Sequence, residues 1–141
     1  MPASGEVICY HKYPLRGSKT KSQFMVSIND IRNSISQQCL FLFVTTDKPK
    51  RYKEASPGCN PDLQVFYLPS SNKECLKKNS YIELWIKPIP QMTLLNVGLV
   101  GRGIQSIGRL SQQCYDDLIA CLKTTRINDI PHVFRNEVFN Y

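Results

Sequence analysis

Residues 39–46 read Cys39-Leu40-Phe41-Leu42-Phe43-Val44-Thr45-Thr46, and this run decides the fold. It combines aromatic and β-branched residues and is apolar at consecutive positions, the pattern of a central strand covered on both faces. Upstream, 23–28 (Gln-Phe-Met-Val-Ser-Ile) predicts a strand ended by Asn29-Asp30, and 6–10 (Glu-Val-Ile-Cys-Tyr) predicts another. Downstream, 63–68 and 81–86 read as strands, the second stopped by Pro88-Ile89-Pro90. Residues 104–110 complete the set as a short last strand.

Helical signals are fewer. Residues 93–100 predict a short pair of helical turns before Gly101-Arg102-Gly103. Ser111 is a good N-cap for a helix over 112–123, with Asp116 and Asp117 early, Lys123 at the end, and an apolar stripe of Leu118, Ile119 and Leu122. The 124–141 tail carries Pro131 and scattered apolar residues, and predicts irregular chain or a single turn. Short strands separated by turn signals, with one covering helix, predict a mainly β fold with minor α, a small β-barrel with a C-terminal amphipathic helix. The whole of 1–141 reads as one domain: barrel over about 5–110, helix over about 112–123, irregular tail over 124–141.

Composition narrows the class. Hydrophobic residues make up 42% and charged residues 21%, too apolar for a disordered chain. The longest uninterrupted apolar run, 40–44, falls far short of the roughly 20 residues that a membrane helix needs. The opening Met-Pro-Ala-Ser-Gly-Glu lacks a basic start followed by an apolar run, which predicts no secretory leader and a cytoplasmic location. On that basis Cys9, Cys39, Cys59, Cys75, Cys114 and Cys121 are expected to be reduced. With no Cys-x-x-Cys and two histidines, neither a metal nor a cofactor is expected.

The net charge of +7 favours a polyanionic partner. It is concentrated in loops. Lys12, Arg16, Lys19 and Lys21 lie in a stretch without an acid, and Lys48, Lys50, Arg51 and Lys53 follow the central strand. Tyr10, Tyr13 and Tyr52 interleave with these cations, a combination suited to single-stranded nucleic acid, in which bases stack on rings and cations track the backbone.

Taken in order, the segments resemble the PemK/MazF family of type II toxins, to which Kid-like toxins belong. Gly5-Glu6-Val7-Ile8 is similar to the family's opening strand, and Gly17-Ser18-Lys19-Thr20-Lys21 to its Gly-x-Lys-x-Arg-Pro segment. The run from Phe24 to Asp30 is similar to its Ala-Leu-Val-Val-Ser-Asn-Asp strand. Leu42-Phe43-Val44-Thr45-Thr46, Ser80-Tyr81-Ile82-Glu83-Leu84 and Ile107-Gly108-Arg109-Leu110-Ser111 correspond to later family segments in the same order. The chain departs from the pattern at Ser22-Gln23, where the family carries Arg-Pro, and in the greater length of 47–79 and of the tail.

The resemblance implies an SH3-like barrel, a homodimer, and a metal-independent endoribonuclease on single-stranded RNA. It also implies growth inhibition relieved by an acidic antitoxin protein. Cleavage would proceed by attack of the 2′-hydroxyl, leaving a cyclic phosphate, and needs a base, donors for the phosphorane and an acid. In this chain the implied catalytic residues are Lys21, Arg16, Thr45 and His11. The implied substrate-binding residues are Lys12, Ser18, Lys19, Thr20, Thr46 and Lys48. Two other readings stand beside this one: a non-catalytic nucleic-acid-binding module on the same barrel, and a protein-interaction subunit that receives an acidic peptide.

Overall fold

The computed structural model describes residues 2–30, 32, 34, 36–46, 49–101, 103–126 and 130–139. The apolar run over 39–46 is central, as expected. It forms β3 (Gln38–Thr45), flanked on one side by β2 (Thr20–Ser27) and β1 (Glu6–Pro14). On its other side lie β6 (Ser80–Pro90), β5 (Val65–Leu68) and β4 (Gly58–Asn60). β7 (Ile104–Arg109) pairs with the outer side of β1, giving one antiparallel seven-stranded sheet ordered β4-β5-β6-β3-β2-β1-β7. Three helices complete the fold: α1 (Gln91–Gly101), α2 (Gln112–Arg126) and α3 (His132–Phe139).

Alternation along the strands sorts the side chains onto two faces. Val7, Val26, Leu40, Leu42, Ile82 and Leu84 pack on one face with Leu118 and Leu122 of α2 and Val138 of α3. Ile8, Met25, Cys39, Phe41 and Ile89 pack on the other with Leu94 of α1. A smaller cluster on that second face joins Tyr52, Val65 and Tyr81.

The mainly β class is as expected, but the sheet is open. Among the described residues no pairing joins β4 to β7, so the expected closed barrel is not formed. α2 and the 69–79 connection occupy the gap instead. Glu74 accepts hydrogen bonds from the Ser111 N–H and hydroxyl, while Ser111 Oγ accepts the Cys114 N–H as the expected N-cap. Cys75 packs so close to Gly108 that a Cβ there would lie 2.8 Å from the Cys75 Cβ, so β7 admits this connection only at a glycine.

Other boundaries move for identifiable reasons. β6 continues through Pro88 and Pro90, because β5 pairs with it only over Ser80–Glu83 and leaves the rest of that flank as an edge. Leu63 joins a 3₁₀ turn, and Gln64 takes a left-handed φ of 54° before β5 begins. The expected irregular tail contains α3. Pro131 starts that helix instead of breaking it, with its carbonyl accepting the Phe134 and Arg135 N–H groups.

α3 is also held by a half-buried polar clamp. The Glu137 carboxylate accepts from the hydroxyls of Ser34 and Ser36, the Ser36 N–H and the Asn29 amide. Glu137→Ala strands these donors and is expected to cost about 2 kcal/mol, α3 detaching first. Hydrogen exchange should show the loss concentrated in 132–139; uniform protection would refute the clamp.

One cysteine pair corrects the expectation of six reduced thiols. Cys59 on β4 and Cys121 on α2 form a disulfide with a Cα–Cα distance of 5.6 Å, within the ordinary range. Their separation of 62 residues hides the pairing from any spacing argument. Cys9, Cys39, Cys75 and Cys114 are free thiols. Among the described residues, no helix is long and apolar enough to cross a membrane.

Candidate functional site

The stretch expected to be a loop is a hairpin arm. β1 and β2 remain paired out to Tyr13↔Lys21 and Pro14↔Thr20, and the turn over 15–19 is closed by the Leu15 N–H donating to the Lys19 carbonyl. Gly17, at φ 74°, supplies the backbone conformation that this tight reversal needs. The arm has a bulge, since Tyr10 faces Gln23 while Tyr13 faces Lys21. Ser22 Oγ donates to the His11 carbonyl there.

Antiparallel register fixes what lies beside the arm. β2 meets β3 at Phe24↔Val44, so the C-terminal end of β3, with Thr45 and then Thr46, leaves the sheet at the end where the arm begins. β6 enters at that same end, Thr45 pairing with Tyr81. Gln23 secures the junction, its amide donating to the Val44 and Phe24 carbonyls. The two basic segments, one in the β1–β2 arm and one in the β3–β4 connection, therefore share one end of the sheet. Thr45 is level with Gln23 in this register, and Thr20 lies three residues further out, so the arm overhangs Thr45 by about 10 Å at Thr20.

Lys12, Arg16, Ser18, Lys19, Thr20 and Lys21 are exposed, and Thr45 and Thr46 are half-buried. Among the described residues the ion pairs are Arg32–Asp30 and Arg51–Glu83, so the cations of the arm are in none of them. Arg51 differs. Its guanidinium lies 2.6 Å from Glu83 and stacks 4.9 Å from the centre of the Tyr52 ring. Burial, with help from the hydrogen bond to Glu83, pushes the Tyr52 hydroxyl up to about 12. Arg51 is therefore part of a structural knot. Lys48 lies outside the described residues.

The sheet also assembles aromatic residues that no single segment of sequence displays. On the face that bears α1, Tyr13 makes edge contacts with Tyr10 and Phe43, each at 5.2 Å between ring centres. Beside them Tyr81 is stacked between Tyr67, at 4.6 Å, and Tyr52, at 5.6 Å. Tyr13 and Phe43 keep part of their surface exposed beside the arm and Thr45, and Tyr67 does so two strands further along the same row. Tyr67 and Phe43 were missed as site residues because each reads as ordinary strand composition; only cross-strand register brings them together.

No protein-family model and no curated protein matches this chain.

His11 goes elsewhere. Its N–H donates to the Gly103 carbonyl, its Nδ1 lies 3.6 Å from Cys9 Sγ, and its Nε2 lies 3.3 Å from Gln105 Oε1. These contacts place it at the β1–β7 side of the sheet, with β2 between it and Thr45 on β3. The arm cations and the two threonines share one end of the sheet, and His11 lies at the base of the same arm with its ring turned toward Cys9 and Gln105. Ser22, at the position of the family's Arg, is exposed and bonded to the backbone bulge.

Proposed function

We propose that this chain binds single-stranded RNA across the sheet end formed by the β1–β2 arm and the C-terminal end of β3. The observation that carries this reading is the convergence of an acid-free cationic arm with the partly exposed rings of Tyr13, Phe43 and Tyr67. Lys12, Arg16, Lys19 and Lys21 track phosphates, the rings receive bases, and Thr45 and Thr46 offer hydroxyls at the foot of the arm. The spread of about 10 Å between Thr20 and Thr45 suits an extended strand better than one compact reaction centre.

The resemblance to PemK/MazF toxins supports RNA over DNA, and an acidic antitoxin segment is a natural competitor for the same cations. It also supports attack by the 2′-hydroxyl, with Arg16, Lys19 and Lys21 stabilising the phosphorane. The contacts of the His11 ring favour the binding-module reading over the nuclease one, because both nitrogens face Cys9 and Gln105 on the β1–β7 side.

If four cations neutralise phosphates, log affinity should fall with log salt at a slope of roughly −3. Replacing Arg16, Lys19 and Lys21 together by Ala should bring that slope near −1 and weaken binding at least tenfold at low salt. The full chain would be incubated with a long single-stranded RNA in the absence of divalent metal, and the binding and product ends measured. Bound, intact RNA identifies a binding module. Site-restricted cuts with cyclic phosphate ends, lost in the triple variant, identify a ribonuclease. Affinity that is independent of salt and of the triple substitution would overturn the proposal.

A further inference from the structure

Cys9, His11 and Gln105 form a connected series that RNA binding does not use. Strand alternation puts Cys9 and His11 on one side of β1, and the Cys9↔Gln105 register brings Gln105 across from β7. Gln105 Oε1 lies 3.3 Å from His11 Nε2, and the tautomer that makes this a hydrogen bond carries its proton on Nε2. That tautomer leaves the Nδ1 lone pair facing the Cys9 thiol at 3.6 Å. His11, Ser22 and Gln105 are exposed, while Cys9 lies just beneath them at 4% exposure.

We propose that Cys9 is a base-assisted nucleophile that accepts an acyl group from a small activated ester or thioester, with His11 as the base and Gln105 as its positioning residue. The step balances within the three residues. The Cys9 S–H proton passes to His11 Nδ1 as sulfur bonds to the acyl carbon, and Gln105 supports the imidazolium through its Nε2–H. The carbon–oxygen or carbon–sulfur bond to the leaving group then breaks. The imidazolium returns the proton to that group, leaving S-acyl-Cys9 and neutral His11. Burial pushes the Cys9 thiol upward, partly offset by the nearby Ser22 hydroxyl. The resting group is thus a thiol, and its reaction depends on the base.

Cys75 provides the internal control. It is half-buried and so more accessible than Cys9, and its thiol is also raised, by burial first and then by Glu74. Accessibility alone would make Cys75 react first; base assistance makes Cys9 react first.

The test uses the full chain with p-nitrophenyl acetate at neutral pH, following acetylation by intact mass and locating it by peptide mapping. Acetyl is expected on Cys9 before Cys75, and Cys9→Ser should abolish that adduct while leaving RNA affinity unchanged. His11→Ala should slow Cys9 acetylation about 100-fold, with partial recovery on adding free imidazole. Gln105→Leu should slow it, whereas Gln105→Glu, which keeps an acceptor, should retain it. Acetylation of Cys9 no faster than Cys75, or an unchanged rate in His11→Ala, would overturn the proposal. Neither result bears on RNA binding, which rests on the arm.

Discussion

Reducing the Cys59–Cys121 disulfide is expected to lower the stability of the fold by about 4 kcal/mol. The bond closes a loop of 62 residues spanning β4 to α2, so opening it releases a large set of unfolded conformations. It also frees the weakest edge. β4 has three residues and, among the described residues, pairs only with β5, and its Cys59 is exposed while Cys121 is buried in the main core. Urea unfolding with and without reductant measures the effect, and Cys59→Ser should reproduce it without reductant. In denatured protein the thiols should number four before reduction and six after. Six thiols before reduction, or an unchanged urea midpoint, would show that the two sulfurs are not joined.

Phe41→Ala is expected to cost about 4 kcal/mol, and Phe41→Leu under half of that. Phe41 has no exposed surface and sits mid-strand on β3, paired with Ser27 of β2 and Lys87 of β6. Its ring fills the cluster beneath α1, among Ile8, Met25, Cys39, Ile89 and Leu94. Truncation leaves a cavity bounded by strands that are hydrogen-bonded on both sides and cannot collapse into it. Denaturant unfolding of the oxidised protein should show a lowered midpoint with unchanged slope. A loss below about 1 kcal/mol would mean that α1 closes over the gap. The disulfide lies on the opposite side of the sheet, so the two losses should add.

How much of this protein is legible before folding differs by element. β3 and α2 are both readable, because each carries a complete local signal: consecutive apolar residues for one, a cap, charge order and stripe for the other. β4 is not readable, since Gly58, Cys59 and Asn60 have no strand preference and pair only because β5 lies alongside. α3 is misread because a proline ends helices from inside but starts them from the first turn, and sequence does not say which applies. The candidate site divides in the same way. The arm cations and Thr45-Thr46 are visible as composition. Tyr67, Phe43 and the turn of His11 toward Cys9 and Gln105 depend on register.

The sequence alone therefore determined what the segments are made of: a central apolar strand, a capped amphipathic helix, and a positive charge gathered into acid-free stretches. These follow from periodicity and composition, which act over a few residues. Tertiary structure alone decided that the sheet stays open, that Cys59 finds Cys121, and that the aromatic rings align beside the arm. Each of those depends on which strands become neighbours and in what register, and that choice is made by burying the two faces of the sheet together.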